Sequence, residues 1–252
     1  MKSRSSHVVM FLLLACLRNS ADAASPTPTR DQQRIRVLVQ LLASKNIVSG
    51  KSLQQFPKGY DVKAQVVVYL AIQQLLAEGS TGFDTLIEHF NDTRYSYTYA
   101  ASDDNYNMTV GNACSAIMVQ CIKCYSHQIH IITSEQGDLA PDFNKKEDLA
   151  NWWKRNRHRP LWDIQVDAID HAIALMETVS RDKARIPFWL ATELSPQVFE
   201  TRRKDNLRIL KELRASIVSQ KEAYRPKSLE KWLDEPFDDM IGLPWPTNPH
   251  RP

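Results

Sequence analysis

Alanine, valine, isoleucine and leucine stand at positions 64, 67, 68, 71, 72, 75 and 76. Steps of three and four residues put all of them on one wide stripe of a helix. A strand would need strict alternation, so this stretch has to be a helix and needs other helices to cover its stripe. Gly79 is placed to end it, and Ser80-Thr81-Gly82-Phe83-Asp84 to restart the chain, with Thr81 as a cap and Asp84 three residues on as the capping-box acid. Phe83, Leu86, Ile87 and Phe90 form a second, shorter stripe. From Thr93 to Asn107 serine, aspartate, asparagine and tyrosine dominate and no period survives, so an irregular polar loop is expected there. A third helix starts near Thr109 and carries Cys114, Ile117, Cys121 and Cys124 on one stripe.

The same period recurs on both sides. Ile35, Leu38, Val39 and Leu42 mark a first helix over about Arg30 to Ser44. Asn144 with Glu147 reads as a capped start of a helix through Trp152 and Trp153 to about Arg157, where Pro160 breaks the chain. Leu161, Ile164, Ala168, Ala172, Leu175, Met176 and Val179 outline a long amphipathic helix. Ser195-Pro196 is a cap with proline in the first turn, opening a helix to about Tyr224 with Phe199, Leu210, Leu213, Ile217 and Tyr224 inward. Pro187 and Pro196 bracket a short apolar segment, Phe188 to Leu194. From Pro226 onward six prolines predict an extended strap anchored by Trp232 and Trp245. No run of strand length alternates clearly, and seven glycines against 13 prolines suit helices with proline-punctuated joints. The expected fold is all-α, built by antiparallel packing of helix pairs. The polar segment Ser134 to Asn144 is a candidate boundary between a subdomain over 31–133 and one over 144–252.

A helix ending in "LLAEG", a tight turn, then "FDTLIEHFND" and a helix opening "VGNACSAI" resembles the HEAT-like α-helical repeat pattern over residues 63–122. That resemblance implies antiparallel packing of successive helices with an aspartate closing the turn. "DTRYSYT" followed by "NMTVGNAC" also resembles a stretch of secreted bacterial proteins, and implies no activity.

The first 23 residues read as a targeting leader: Lys2 and Arg4, an apolar core from Val8 to Leu17, and an Ala21-Asp22-Ala23 exit. The apolar core has about ten residues, against the roughly 20 that span a bilayer. Export to the periplasm or cell envelope is therefore expected. Leu13-Leu14-Ala15-Cys16 also fits a lipobox, which would make Cys16 a lipid anchor and the residues up to Thr29 a tether. No later segment is a transmembrane candidate. Removing the leader takes away Lys2, Arg4, Arg18 and Asp22 and lowers the formal charge from +3 to +1. So small a charge argues against nucleic acid as a partner, because that affinity comes chiefly from neutralising phosphates.

Four constellations are candidates for chemistry or binding. Cys121-Ile122-Lys123-Cys124, with His127 and His130 behind, invites a metal or redox reading, a disulfide between Cys121 and Cys124, or buried core thiols. Cβ atoms three apart on a helix are about 5–6 Å apart, too far for a disulfide unless the helix ends there. Asp163, Asp167, Asp170 and His171 share a helix face, and Asp163, Asp167 and His171 are the candidate ligands of a metal-dependent hydrolase; a solvated polar face gives the same pattern. The run Lys154-Arg155-Asn156-Arg157-His158-Arg159 follows two tryptophans, so Trp152 and Arg155 are candidates for an anionic ligand, against the plainer role of complementing a helix C-terminus. The loop with Arg94, Tyr95, Tyr97, Tyr99, Tyr106, Asp103 and Asp104 has a composition favoured at recognition surfaces, and Arg94, Tyr95, Tyr97 and Tyr99 are its candidate contacts; tyrosines satisfying the loop's own backbone would look similar. No GxSxG, Walker, Rossmann or zincin motif occurs, and no cofactor is expected. The chain reads as an exported helical binding or structural module with a protein or an anionic ligand as partner; the rival is the metal-dependent envelope hydrolase.

Overall fold

A computed structural model describes residues 29–48, 59–100, 105–124, 132–133, 146–178, 184–185 and 195–225. The leader with Cys16, the segments 134–143 and 188–194, His127, His130, Asp103, Asp104, and the strap with Trp232 and Trp245 lie outside the described residues. The fold is mostly helical, as the periodicity predicts.

Helix α1 (Arg30–Leu41) opens on a capping box: Thr29 accepts from the backbone of Gln32, whose side chain returns a bond to the Thr29 N–H. Its buried face is Ile35, Leu38 and Val39, with Leu42 behind. Helix α2 (Val62–Glu78) buries Val68, Ala71, Leu75 and Leu76, and Gly79 ends it at φ +59, a left-handed conformation that suits glycine. The two helices run antiparallel, for Arg34 reaches Glu78 at 2.7 Å at one end while Ser44 meets Gln65 at 3.1 Å at the other.

Thr81 does not cap the next helix. Gly79–Gly82 is a 3-10 turn that runs directly into α3 (Phe83–Glu88), whose cap position is Gly82 without a side-chain bond. Asp84 faces a tryptophan instead: its carboxylate accepts from the Trp153 indole N–H at 2.8 Å. Trp153 also meets the Phe83 ring edge-on at 5.0 Å, and these two contacts seat α5 (Lys146–Asn156) on α3.

Helix α4 (Val110–Ile122) starts where the pattern put it, with Thr109 and Asn112 forming a reciprocal cap. It ends at Ile122, so Cys124 lies past the helix, although buried. Helices α6 (Leu161–Thr178) and α7 (Pro196–Gln220) pair antiparallel: Arg203 donates to the Met176 carbonyl at 3.2 Å, and Arg214 pairs with Asp170 nearer the start of α6. Ser195 caps α7 through the Val198 N–H, with Pro196 in the first turn. α7 stops at Gln220 rather than Tyr224, with Lys221 left-handed at φ 51.

Tyr224 then folds back. Gln165 on α6 donates to the Tyr224 carbonyl at 3.0 Å, accepts from its N–H at 2.8 Å, and donates to the Cys121 carbonyl at 2.7 Å. One fully buried amide thus ties the ends of α4 and α7 to α6. A single apolar cluster runs from Ile35 to Ile217 and includes residues on both sides of the 134–143 segment.

One expectation fails outright. The stretch read as an irregular loop is an antiparallel hairpin, β1 (Tyr95–Ala100) with β2 (Asn105–Thr109), in which Tyr97 pairs with Met108 and Thr98 with Asn107. A two-residue pair, β3 (Ile132–Thr133) with β4 (Ala184–Arg185), adds a second short ladder. The reason lies in the residue types. Tyr-Ser-Tyr-Thr-Tyr does alternate, between aromatic and small hydroxyl side chains rather than between apolar and charged ones, and both tyrosine and threonine fit a pleated surface. A hydrophobic–polar count sees only a polar run.

Candidate functional site

The hairpin does not hang free as a recognition loop would. Its register shifts between Tyr95 and Tyr97, a bulge at Ser96 that re-aims the side chains on either side of it. Tyr95 and Thr98 come onto one side, their hydroxyls 2.8 Å apart. Tyr60 closes on Tyr95 at 3.0 Å and donates to the Gln65 side-chain oxygen at 2.9 Å. Gln65 also accepts from Ser44 and donates to the Ser96 carbonyl at 2.8 Å. Thr98 donates to Asn107 across the hairpin at 3.0 Å. Gln65, Ser96 and Thr98 are fully buried, and Tyr97 nearly so.

Through Gln65 the network joins α2, the turn after α1 and β1, and the Tyr95–Thr98–Asn107 hydrogen bonds carry it on to β2. Its acids are weak: burial, followed by the neighbouring tyrosines, pushes the Tyr60 and Tyr69 hydroxyls well above the usual tyrosine range. They stay protonated hydrogen-bond donors and cannot serve as bases near neutral pH. The tyrosines thus hold the hairpin on the helical body. Tyr97 packs inward, Tyr95 is half-buried with its hydroxyl engaged, and of Tyr99 the register against Tyr106 is described.

Arg94 is exposed and tied locally. Its guanidinium spans both oxygens of Asp92, the closest contact 2.6 Å, and reaches Gln40 of α1 at 3.1 Å. The Arg94 hydrogen bonds hold the Asp92 carboxyl below the usual carboxylate range. The Asp92 carbonyl accepts from Gly111 at 2.9 Å and the Arg94 carbonyl from Val110 at 2.8 Å, which seats the start of α4 against this corner.

Trp152 and Arg155 belong to α5, which is seated on α3 and not on the hairpin's network. Trp152 is half-buried and tilted against Trp153 at 6.3 Å. Lys154, Arg155, Arg157 and His158 are exposed at the end of α5. Arg159 behaves differently from the rest of its run. It turns to α6 and binds Asp163 and Asp167, each at 2.7 Å.

That pairing changes the acidic face of α6. Two of the three candidate metal ligands, Asp163 and Asp167, share one guanidinium, and Asp170 pairs with Arg214 on α7. His171 is half-buried with its Nε2 enclosed and without a hydrogen-bond partner. Among the described residues no group of three or more His, Cys, Asp or Glu side chains is arranged to hold a metal ion.

The cysteines are core. Cys114, Cys121 and Cys124 are buried free thiols, and burial pushes each up to about 12. A thiol needs its thiolate to react. Native protein at pH 8 should therefore leave these three unmodified by a disulfide reagent over minutes, while denaturant releases all three. Prompt reaction of the folded protein would place them at an accessible site instead.

Sequence reasoning named Tyr95 and Arg94 but missed Gln65, Ser44 and Tyr60, which make the network. The available signal was Gln65 itself, a polar residue one position from the apolar stripe of α2, where an amide has to find partners. No described helix is long and apolar enough to cross a membrane. Comparison with protein-family models, with curated proteins and with solved structures finds no match to this chain.

Proposed function

We propose that the protein is an exported helical module that binds an anionic partner through the end of α5. The observation that carries this is an imbalance of charge. Arg159 draws off both nearby carboxylates, Asp163 and Asp167. Lys154, Arg155 and Arg157 stay exposed and without an ion-pair partner among the described residues, beside the half-buried Trp152. Arginines so placed present flat, multidentate donors to phosphate, sulfate or carboxylate groups. Export rests on the leader pattern of residues 1–23.

The test is retention on a sulfated-polysaccharide column. Wild-type protein should bind at low salt and elute as salt rises, since the contacts are screened charges. Reversing Lys154, Arg155 and Arg157 to glutamate should move elution to clearly lower salt. The same reversal at Arg202, Lys204 and Lys221 on or just past α7 should shift it far less. Equal shifts from the two sets would reduce the interaction to net charge and remove α5 as the site.

A further inference from the structure

Arg159 lies in the basic turn at the end of α5, yet its charge is turned to α6. Its guanidinium Nε donates to Asp163 Oδ2 and its Nη2 to Asp167 Oδ2, each at 2.7 Å. The third nitrogen, Nη1, reaches back to Asn156 Oδ1 at 3.3 Å, and the Asn156 amide donates to the Trp152 carbonyl at 2.8 Å. Asn156 is the last residue of α5 and stands between Arg155 and Arg157. Arg157 and Arg159 are two residues apart, a span of at most about 7 Å along the chain. The guanidinium is thus within the cluster formed by Lys154, Arg155 and Arg157.

The two aspartates take the places that an oxyanion would take. Nε and Nη2 form the edge of the fork that grips two oxygens of a sulfate, phosphate or carboxylate side by side. Here one oxygen comes from Asp163 and the other from Asp167, four residues on along α6. The hold is also open to exchange. The Arg159 side chain is 27% exposed, that of Asp163 36% and that of Asp167 55%. Ion pairs so accessible to water are screened by salt and contribute little net stability.

We infer that Arg159 is a fourth cation of the anion-binding end of α5, kept out of contact with the partner by Asp163 and Asp167. The two acids act as a built-in competitor and set how tightly the site holds a polyanion. This rests on the reading of Lys154, Arg155 and Arg157 as the anionic site.

Counting cations by salt dependence tests it, with heparin, a sulfated polysaccharide, as the probe. Each cation in contact with a polyanion adds roughly one to the slope of log Kd against log salt concentration. Asp163→Asn combined with Asp167→Asn should tighten binding and steepen the slope by about one. In an Arg159→Gln background the same pair should leave the slope where Arg159→Gln alone puts it. Asp205→Asn with Glu222→Gln, at exposed acids on and just past α7, adds the same net charge and should leave the slope unchanged.

Asp163 lies in the first turn of α6, where a carboxylate supports the helix. If the double variant melts lower than wild type, Asp167→Asn alone carries the test, with a change of the same sign. An unchanged slope in the aspartate variants overturns the inference, as does an equal rise without Arg159. Failure of the site itself reads differently. Reversal of Lys154, Arg155 and Arg157 to glutamate would then leave the slope at its wild-type value, and this inference would fall with the site. A slope that drops on that reversal while the aspartate variants change nothing removes the role of Arg159 alone.

Discussion

Gly111→Ala should destabilise the protein by about 3 kcal/mol or more, although it places a better helix former inside a helix. In an exposed helix interior alanine would gain about 1 kcal/mol over glycine. Here a Cβ would stand 1.9 Å from the Phe90 carbonyl oxygen, 2.8 Å from its carbon and 3.3 Å from the Asp92 carbonyl oxygen. All three are backbone atoms, so no side chain can swing aside. The Gly111 N–H also donates to the Asp92 carbonyl at 2.9 Å, which fixes the distance the clash violates. Asp92 in turn holds Arg94 and the entry to the hairpin. Relief would have to pull α4 from the Phe90–Asp92 turn and loosen the Val110 and Arg94 bond with it. At about 2–4 °C per kcal/mol for a chain of this size, the melting temperature should fall by about 6–12 °C. A thermal melt of the two proteins side by side checks it. An unchanged or higher melting temperature would mean that the turn after α3 yields without cost.

Gln65→Leu should cost about 3 kcal/mol, because it keeps the side-chain size and removes every polar contact. The fully buried amide serves the Ser96 carbonyl, the Ser44 hydroxyl and the Tyr60 hydroxyl at once. Tyr60 keeps Tyr95 as a partner, and Ser44 stays within reach of the Asn46 N–H, so the heaviest loss falls on the Ser96 carbonyl in the bulge. A buried carbonyl left without a donor costs on the order of 1–3 kcal/mol by itself. The tyrosine signals in near-ultraviolet circular dichroism should weaken together, since the hydroxyls of Tyr60 and Tyr95 share the network. Tyr95→Phe, which removes one hydroxyl and leaves Gln65 in place, should cost less than half as much. If the two variants were equal, the network would not converge on the glutamine.

Much of the helical architecture was open to inspection in the chain. Stripes of three- and four-residue spacing located α1, α2, α4, α6 and α7, and the caps at Thr109 and Ser195 sit where their residue types put them. Of the positions expected inward on α7, Phe199, Leu210, Leu213 and Ile217 are buried, while Tyr224 lies past the helix end and is half-buried. The turn after Gly79 was read less well, because Thr81 offers a side chain to cap a helix and the 3-10 turn leaves no place for it. The demand of Trp153 for an acceptor took Asp84 away from the same turn. The hairpin was missed for want of a charge alternation. Its first strand is held by the Gln65 amide of α2 and by the hydroxyls of Ser44, just past α1, and Tyr60, just before α2, none of them neighbours of the hairpin in sequence.

The candidate sites divide the same way. Lys154, Arg155 and Arg157 were visible as a basic run, but only contact with α6 separates Arg159 from them. The acidic face of α6 was visible as a period, and only α7 and Arg159 reveal that it is committed to ion pairs. Spacing puts the cysteines on an apolar stripe, and the end of α4 at Ile122 places Cys124 beyond the helix yet inside the cluster. By itself the sequence determined which segments are helices and which of their faces are apolar, because those properties follow from local spacing and capping. The tertiary structure alone decided what each polar group is bonded to, and so which charges stay available to a partner. Hydrogen bonds and ion pairs are set by distance in space, and the pairs that matter here lie as far apart in the chain as Gln65 from Ser96, Asp84 from Trp153 and Gln165 from Tyr224.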